Sequence, residues 1–383
     1  MSRYGAGRAA AALIGLTLVL APAPAVAHKP SDSYLALAVG ADGVNGQWDI
    51  ALRDLDYALG LDADGDGAIT WGELRARHAA IAEYALARLE LRADGAPCRL
   101  RPLAQVVDQH SDGGYAVLPF HADCAAAPQA LEIGYRLFFD LDPQHRGLLR
   151  LTTAAGVTTA VFAPERARQR FEAAAAAAPA RQLLAFGREG VWHIWLGFDH
   201  ILFLLSLLLP AVLRREADGW RAASGFRPAI REVLAIVTAF TVAHSITLSL
   251  ATLGVMRLPS RWVESAIAAS VILAAANNLV PLVQRRRFAV AFAFGLIHGF
   301  GFASVLADLG LPQGARLVAL VGFNIGVEVG QLALVALFLP LAYRLRHSWF
   351  YQRLTLTAGS SAIAAIACLW LAERALNLKL LSF

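Results

Sequence analysis

The sequence predicts a polytopic α-helical membrane protein in which six transmembrane helices follow an exported, mainly β domain. Of the 383 residues, 57% are hydrophobic and only 16% are charged, whereas soluble domains average about 25% charged residues. A mean hydropathy of +0.51 agrees with this class. The second half of the chain contains six apolar stretches, and the first residues have the layout of an export signal.

The net charge of +5 does not indicate a nucleic-acid partner. The charge is +2 in residues 1–27, −4 in residues 28–188 and +7 in residues 189–383. No segment is a basic globular domain, which is the footprint of nucleic-acid binding. We therefore expect no nucleic-acid partner.

Residues 1–27 are predicted to be a signal peptide. Arg3 and Arg8 precede a short apolar run, and the sequence APAPAVA ends in a small-x-small site. The alternative is a retained membrane anchor, but the run is shorter than the roughly 20 residues of a span. Cleavage after Ala27 leaves His28 at the mature N-terminus, where its amine and imidazole can chelate one metal ion together.

Residues 28–165 are predicted to form the exported β-rich domain, and residues 166–190 a helical linker. Short runs of alternating apolar and polar residues indicate half-buried strands, and one helix interrupts them. The runs are SYLALAV, QWDIALR, YAVLPF, LEIGYRLFF and TTAVFA, and the helix is WGELRARHAAIAEYALARL. Cys98 and Cys124 can pair in an oxidising compartment, the alternative being two buried thiols.

The segment DADGDGAITWGE at residues 62–73 matches the twelve-residue EF-hand calcium loop. Hard oxygen ligands at this spacing are what Ca²⁺ requires, and Gly67 permits the sharp turn at position 6. The alternative is an Asp/Gly-rich surface turn. The predicted calcium ligands are Asp62, Asp64, Asp66, the Ala68 carbonyl, Thr70 and Glu73.

Residues 191–373 are predicted to form the six-helix transmembrane domain, followed by a tail at 374–383. The spans lie at roughly 191–213, 232–254, 263–283, 288–308, 315–342 and 354–373. With the β domain outside, the inner loops carry 11 Arg residues and the outer loops three. The positive-inside rule therefore predicts a multi-pass protein of the inner (cytoplasmic) membrane with its N-terminal domain extracytoplasmic.

Ionisable side chains within the spans are candidate functional groups, because burying charge in lipid is costly. His193 and His200 are seven residues apart, two turns along one helical face. On the predicted topology His244, His298 and Glu328 lie near mid-membrane, and the alternative is a set of unrelated interhelical hydrogen bonds. The candidate metal ligands are His193, Asp199, His200, His244, Glu264, His298 and Glu328, and the supporting polar residues are Asn278, Asn324 and Gln331.

The donor types narrow the choice of metal. Imidazole and carboxylate suit Ni²⁺, Co²⁺, Zn²⁺ or Mn²⁺, whereas Cu(I) prefers sulfur ligands. The chain has only two Met residues, neither placed to form a methionine pathway. Residues Gly322, Gly326 and Gly330 add a small-xxx-small stripe, which lets another helix approach closely.

Five ordered motifs over residues 190–375 resemble the HupE/UreJ membrane proteins. They are HIWLGFDHILF, FTVAHSITLSLA, VESAIAAS…NNL, FAFGLIHGFGFA and FNIGVEVGQL. The resemblance implies a hydrogenase- or urease-associated nickel or cobalt permease, with metalloenzyme maturation machinery as a partner. The family signature HxxxxxDH falls on His193, Asp199 and His200.

The leading hypothesis is a permease for Ni²⁺ or Co²⁺ with a His/carboxylate site near the membrane midplane and a calcium-binding exported domain. An intramembrane metal-dependent hydrolase is the first alternative, since histidine ligands and an acidic base also serve hydrolysis. A membrane-anchored, calcium-stabilised adaptor is the second, with the intramembrane polar residues serving packing.

Overall fold

The structure is a computed structural model of the 383-residue chain. It describes residues 31–40, 42–110, 113–124, 128–174, 179–216, 219–256, 258–280, 283, 286–303 and 313–376. The predicted signal peptide, His28 and residues 377–383 of the predicted tail lie outside these ranges.

The N-terminal half of the described chain forms two β-sheets. Sheet A has the strand order β10-β9-β1-β2-β7-β5 with β6 also on β7, and sheet B has the order β11-β8-β3-β4. Strands β1 and β9 pair in parallel and the other neighbours are antiparallel. The strands are β1 (Asp32–Gly40), β2 (Gly43–Ala51), β3 (Leu89–Ala93), β4 (Ala96–Pro97), β5 (Arg99–Pro102), β6 (Val106–His110), β7 (Gly113–Asp123), β8 (Ala130–Tyr135), β9 (Arg146–Thr153), β10 (Gly156–Phe162) and β11 (Arg168–Glu172).

The two sheets pack across one apolar core, and sheet A is covered on its other face as well. Leu35 and Trp48 of sheet A and Ile133 of sheet B belong to the shared core. On the opposite face Tyr34 and Leu148 belong to a second cluster, which includes side chains of the helical bundle. The predicted alternation of buried and exposed residues is present in β2, but the bundle covers part of the second face of sheet A, which the strand pattern alone does not predict.

Three short helices lie in the β domain. They are α1 (Leu52–Leu59), α2 (Trp71–Ala76) and α3 (His78–Leu86). The single helix predicted over residues 71–89 is divided at Arg77, whose φ of −96° and ψ of 2° depart from helical values. The predicted disulfide between Cys98 and Cys124 is present.

The region predicted as a helical linker begins with a strand. β11 pairs antiparallel with β8, so sheet B extends to Glu172. The alternation of exposed and half-buried residues in β11 explains why it adds to the sheet edge. The first long helix starts only at Pro179.

The C-terminal half of the described chain is a helical bundle. Its elements are α4 (Pro179–Leu196), α5 (Phe198–Leu208), the hairpin β12 (Leu213–Glu216) and β13 (Gly219–Ala222), α6 (Phe226–Thr252), α7 (Ser260–Leu279), α8 (Arg287–His298), α9 (Gln313–Leu345), a π-helical segment (Phe350–Ala358) and α10 (Gly359–Leu376). Among the described residues four helices are long and apolar enough to cross a membrane, or five when α4 and α5 count as one bent span. These helices make the chain a membrane protein.

Glycine residues bring α4 and α9 into close contact. A Cβ on Gly326 would lie 1.9 Å from the carbonyl oxygen of Gly187, and one on Gly190 would lie 2.1 Å from that of Phe323. Residues without a Cβ are therefore required at this crossing. The small-xxx-small stripe of α9 therefore packs against α4, the helix that carries His193.

Candidate metal centre

A helix break brings two of the predicted ligands together. The axes of α4 and α5 bend by 69° at Gly197, and the ring centroids of His193 and His200 lie 4.5 Å apart. In a straight helix residues seven apart are separated by about 10.5 Å along the axis. A Cβ on Gly197 would lie 2.6 Å from the His193 carbonyl oxygen and 2.9 Å from His200 Nδ1, so the break requires glycine.

A third histidine completes a cluster, which we call the histidine cluster: His193, His200 and His244. One ring nitrogen from each lies within 4.8 Å of the other two. A metal ion bound at about 2.1 Å holds two nitrogens at most about 4.2 Å apart, so the spacing in the cluster is close to that of a metal site. His200 and His244 are buried.

Four nitrogens of the histidine cluster have no hydrogen-bond partner among the described residues. They are Nε2 of His193, Nε2 of His200 and both ring nitrogens of His244. Buried polar atoms are nearly always paired, and an unmade bond costs about 1–3 kcal/mol. A neutral imidazole carries a lone pair on only one of its nitrogens, so each of the three rings can offer one donor to a bound cation, and these donors fit a borderline transition metal.

Asp199 contacts the cluster from the side. Its Oδ1 lies 3.0 Å from His200 Nδ1 and accepts a hydrogen bond from the His200 backbone N–H at 2.9 Å. Carboxylates in this position orient metal-binding imidazoles instead of binding the ion themselves. Asp199 is thus placed to position His200.

His298 adjoins the cluster as a fourth imidazole. Its ring centroid is 5.2 Å from that of His200, and its Nε2 lies 2.9 Å from Ser270 Oγ. The ring packs against Phe203 at 4.9 Å and Phe240 at 5.2 Å. The Ser270 contact leaves Nδ1 as the nitrogen without a partner among the described residues.

Phenylalanine rings enclose the cluster on the side nearer the β domain. Phe302 and Phe323 stack at 4.2 Å, and their centroids lie 5.0 and 5.2 Å from His193. These aromatic residues and Gly197 were not predicted as site residues. For Gly197 and Phe302 the available signal was their place within the same motifs as the histidines, HIWLGFDH and FGLIHGFGF, whereas Phe323 begins the separate motif FNIGVEVGQL.

The two glutamates predicted as ligands lie apart from the histidine cluster. Glu264 accepts a hydrogen bond from Ser260 Oγ at 2.6 Å and pairs with Arg374 at 3.6 Å. Glu328 accepts one from Thr238 Oγ1 at 3.3 Å on a partly exposed surface. Equal depth in the membrane does not fix the direction of a side chain, and the glycine face of α9 occupies the contact with α4.

Two of the three predicted supporting residues bind neighbouring helices. Asn278 donates to the Ser206 carbonyl at 2.7 Å and to Ser360 Oγ at 3.1 Å. Gln331 accepts a hydrogen bond from Thr241 Oγ1 at 3.0 Å, and Asn324 donates to the Leu320 carbonyl within its own helix at 2.9 Å. Asn278 and Gln331 therefore act in interhelical packing.

In the acidic loop at residues 62–73, three of the predicted calcium ligands lie close together. Oxygens of Asp62, Asp64 and Asp66 lie within 4.8 Å of one another. Gly67 has a φ of +84°, as the turn at position 6 requires. Glu73 reaches back to the loop start, where its Oε1 accepts the Ala63 N–H at 2.8 Å. The residues present therefore fit the ion.

Comparison with known proteins identifies the helical half. No curated protein matches the chain. The family model described as HupE / UreJ protein matches residues 168–374, more than half of the chain. The match contains α4 to α9, all but the last two residues of α10, the three residues of the histidine cluster and His298, whereas the acidic loop lies outside it. The chain belongs to the HupE/UreJ family.

Proposed function

We propose that the protein is a permease for a divalent transition metal, Ni²⁺ or Co²⁺, and that the histidine cluster is its binding site. The observation that carries this proposal is the convergence of three imidazoles inside the helical bundle, with four ring nitrogens that have no hydrogen-bond partner among the described residues. Nitrogen donors without thiolate or thioether sulfur favour Ni²⁺, Co²⁺ or Zn²⁺ over Cu(I). Family membership agrees with a nickel or cobalt accessory protein.

We also propose six spans with the β domain on the extracytoplasmic side of the inner membrane. The ends of α6 and α7 nearest the β domain are those that the topology places outside, since Ala251 and Ser260 line a cavity against sheet A. The arginine-rich loops lie at the opposite ends of the helices. The 12-residue α8 covers about 18 Å, so the proposed fourth span also needs the residues after it.

The exported domain is proposed to hold Ca²⁺ in the loop 62–73 after removal of residues 1–27. Three carboxylates already converge there, and Glu73 lies at the twelfth position. A single loop facing an extracellular medium is suited to a structural ion, because extracellular modules bind calcium at about 10⁻⁴–10⁻³ M. Metalloenzyme maturation machinery is the proposed destination of the transported metal.

Metal uptake by the full chain in proteoliposomes tests the permease. We expect His244→Ala to lower the rate of Co²⁺ and Ni²⁺ uptake by at least about 10-fold and to remove a stoichiometric bound ion, because a ligand is lost. The matched control is His347→Ala, since His347 is exposed after the far end of α9. Equal uptake by wild type and His244→Ala would contradict the proposal.

The same measurements separate the two alternatives. A hydrolase would bind the metal at the histidine cluster but move no ion across the bilayer. An adaptor would bind no transition metal in the bundle, so that the metal content would not respond to His244→Ala.

A further inference from the structure

A cavity of about 670 Å³ separates the β domain from the helical bundle. Its upper wall is the outer face of sheet A, with residues of β1, β2, β6 and β9. Its lower wall consists of the end of α6, the start of α7 and the turn that follows α8. We call this cavity the vestibule.

The vestibule contains a buried histidine–aspartate pair. His110 Nε2 lies 3.2 Å from Asp49 Oδ2, and the two side chains are only 8% and 11% exposed. The His110 ring stacks on Tyr34 at 5.1 Å and on Tyr115 at 4.0 Å, which fixes its plane. Imidazole and carboxylate together suit the same divalent ions as the histidine cluster.

The vestibule is acidic although the whole chain is basic. Its walls carry three carboxylates, Asp49, Asp108 and Glu264, against one guanidinium, Arg150, among the described residues. Glu264 also pairs with Arg374, which is not part of the walls. A cleft with one sign of charge and low-dielectric walls concentrates counter-ions, here cations.

A single turn separates the vestibule from the histidine cluster. Phe300, Gly301 and Ala303 line the vestibule, and the Gly301 N–H donates to the His298 carbonyl at 3.0 Å. Phe302, in the same turn, instead lies against His193 at 5.0 Å. A cation that reaches this turn is one aromatic layer away from the cluster.

We propose that the vestibule is the entry site of the transport route, where His110 and Asp49 bind a divalent transition-metal cation before it passes Phe302. Asp108 and Glu264 raise the local cation concentration around that pair. This inference rests on the proposed function, because it supplies ions to the histidine cluster. It also assigns a function in transport to Glu264, which lies apart from the histidine cluster.

Co²⁺ uptake by the full chain in proteoliposomes tests the vestibule. We expect Asp49→Asn and His110→Gln each to raise the KM for Co²⁺ about 10-fold while the maximal rate falls less than twofold, since the cluster itself is intact. Glu264→Gln, on the opposite wall, should raise the KM at low ionic strength only. The matched control is His121→Gln, because His121 pairs with Asp123 at 3.5 Å on sheet A outside the vestibule.

Equilibrium Co²⁺ binding to the full-length double variant His200→Ala/His244→Ala gives a readout independent of transport. We expect one weaker site to persist there and to disappear when Asp49→Asn is added. Unchanged KM values together with the absence of an Asp49-dependent site would overturn the inference. If the wild type takes up no Co²⁺, the permease proposal is refuted. The presence or absence of an Asp49-dependent binding site would still test the proposal for the vestibule.

Discussion

At the scale of single residues, Asp199 determines how His200 is presented to the cluster. A carboxylate oxygen 3.0 Å from Nδ1 favours the tautomer in which Nδ1–H donates and Nε2 keeps its lone pair. That Nε2 is one of the partnerless nitrogens of the cluster. The sequential pair Asp199–His200 therefore supplies one oriented ligand and the group that orients it.

Another buried imidazole, His145, lies inside the β domain and has partners on both nitrogens. Its Nδ1 lies 2.6 Å from Ser31 Oγ and its Nε2 lies 2.6 Å from Tyr135 OH. Burial lowers the pKa of His145 from 6.5 to about 3, and the neighbouring Arg146 acts in the same direction. His145 is thus a structural histidine that stays neutral at ordinary pH.

The first residue-scale prediction concerns the pH dependence of stability. Because the folded pKa lies below the unfolded value, the unfolded chain binds more protons between pH 6.5 and about 3, so stability falls as pH falls through that window. The effect amounts to about 3 kcal/mol between pH 7.5 and pH 4. Thermal unfolding of the full chain in detergent measures it, and His145→Gln should flatten the dependence.

The control for this measurement is another histidine of the β domain. His121 is partly exposed and bonds Asn45 and Asp123 at the surface. His121→Gln should retain the wild-type dependence. Identical pH profiles for wild type and His145→Gln would show that His145 does not set it.

At the scale of elements, the side chain of Glu73 belongs both to the acidic loop and to the start of α2. The Thr70 hydroxyl accepts the Glu73 N–H while the Glu73 carboxylate accepts the Thr70 N–H, a capping box that starts α2. These hydrogen bonds from Thr70, with a further one from Ala63, hold the pKa of Glu73 at about 2. The carboxylate is therefore ionised at any physiological pH, and calcium binding displaces no proton from it.

Glu73→Gln separates the two roles of this side chain. The amide oxygen still accepts the Thr70 N–H, so α2 keeps its start, but one ligand charge is lost. We expect the calcium affinity to fall at least about 10-fold, because ligand charge sets the affinity of such loops. The measurement is calcium titration by calorimetry, and the control is Glu83→Gln on the exposed surface of α3. Equal affinities would contradict a ligand role.

The histidine residues of the centre could be read from the sequence, but the arrangement around them could not. The residue types and their order along the chain are sufficient to predict that several imidazoles lie within the membrane. The meeting of His193 and His200 depends on the break at Gly197, which a helical periodicity does not contain. For Glu328 the depth was available from the sequence, whereas the direction depends on which face of α9 packs on α4.

The same limit applies to the sheets. Alternation in β1 predicts a strand but not what covers its second face, since that depends on the bundle far along the chain. The disulfide was predictable because both cysteines lie in one exported segment. The sequence predicts a helical linker where β11 lies, because its five residues show no strong hydrophobic alternation and the alanine run after them favours a helix.

At the scale of the whole molecule, the β domain is fixed to the bundle by an apolar contact and a buried ion-pair network. Tyr34 and Leu148 of sheet A share a cluster with Phe186 of α4. Beside it Gln182 donates to Thr159 Oγ1 at 3.1 Å and to the Ala315 carbonyl at 3.0 Å. The vestibule therefore lies between two parts that are held together, as an entry site requires.

Glu189 is the centre of that network, and its replacement tests how firmly the halves are joined. Its carboxylate pairs with Arg146 at 3.3 Å and with Arg166 at 2.5 Å, and its side chain is 9% exposed. Glu189→Gln leaves two guanidinium groups without their counter-charge. Breaking a buried pair costs about 3–5 kcal/mol, so the thermal midpoint of the full chain should fall clearly. Hydrogen exchange should also rise in β1 and β9.

The chain offers a matched control between the same two parts. Glu165 pairs with Arg188 of α4 at 3.1 Å, but both side chains are 42% exposed. Solvent screens such pairs, which contribute about 0–1 kcal/mol, so Glu165→Gln should change neither the midpoint nor the exchange. If both variants behave alike, the buried network does not join the halves. The apolar face of sheet A would then hold the β domain on the bundle alone.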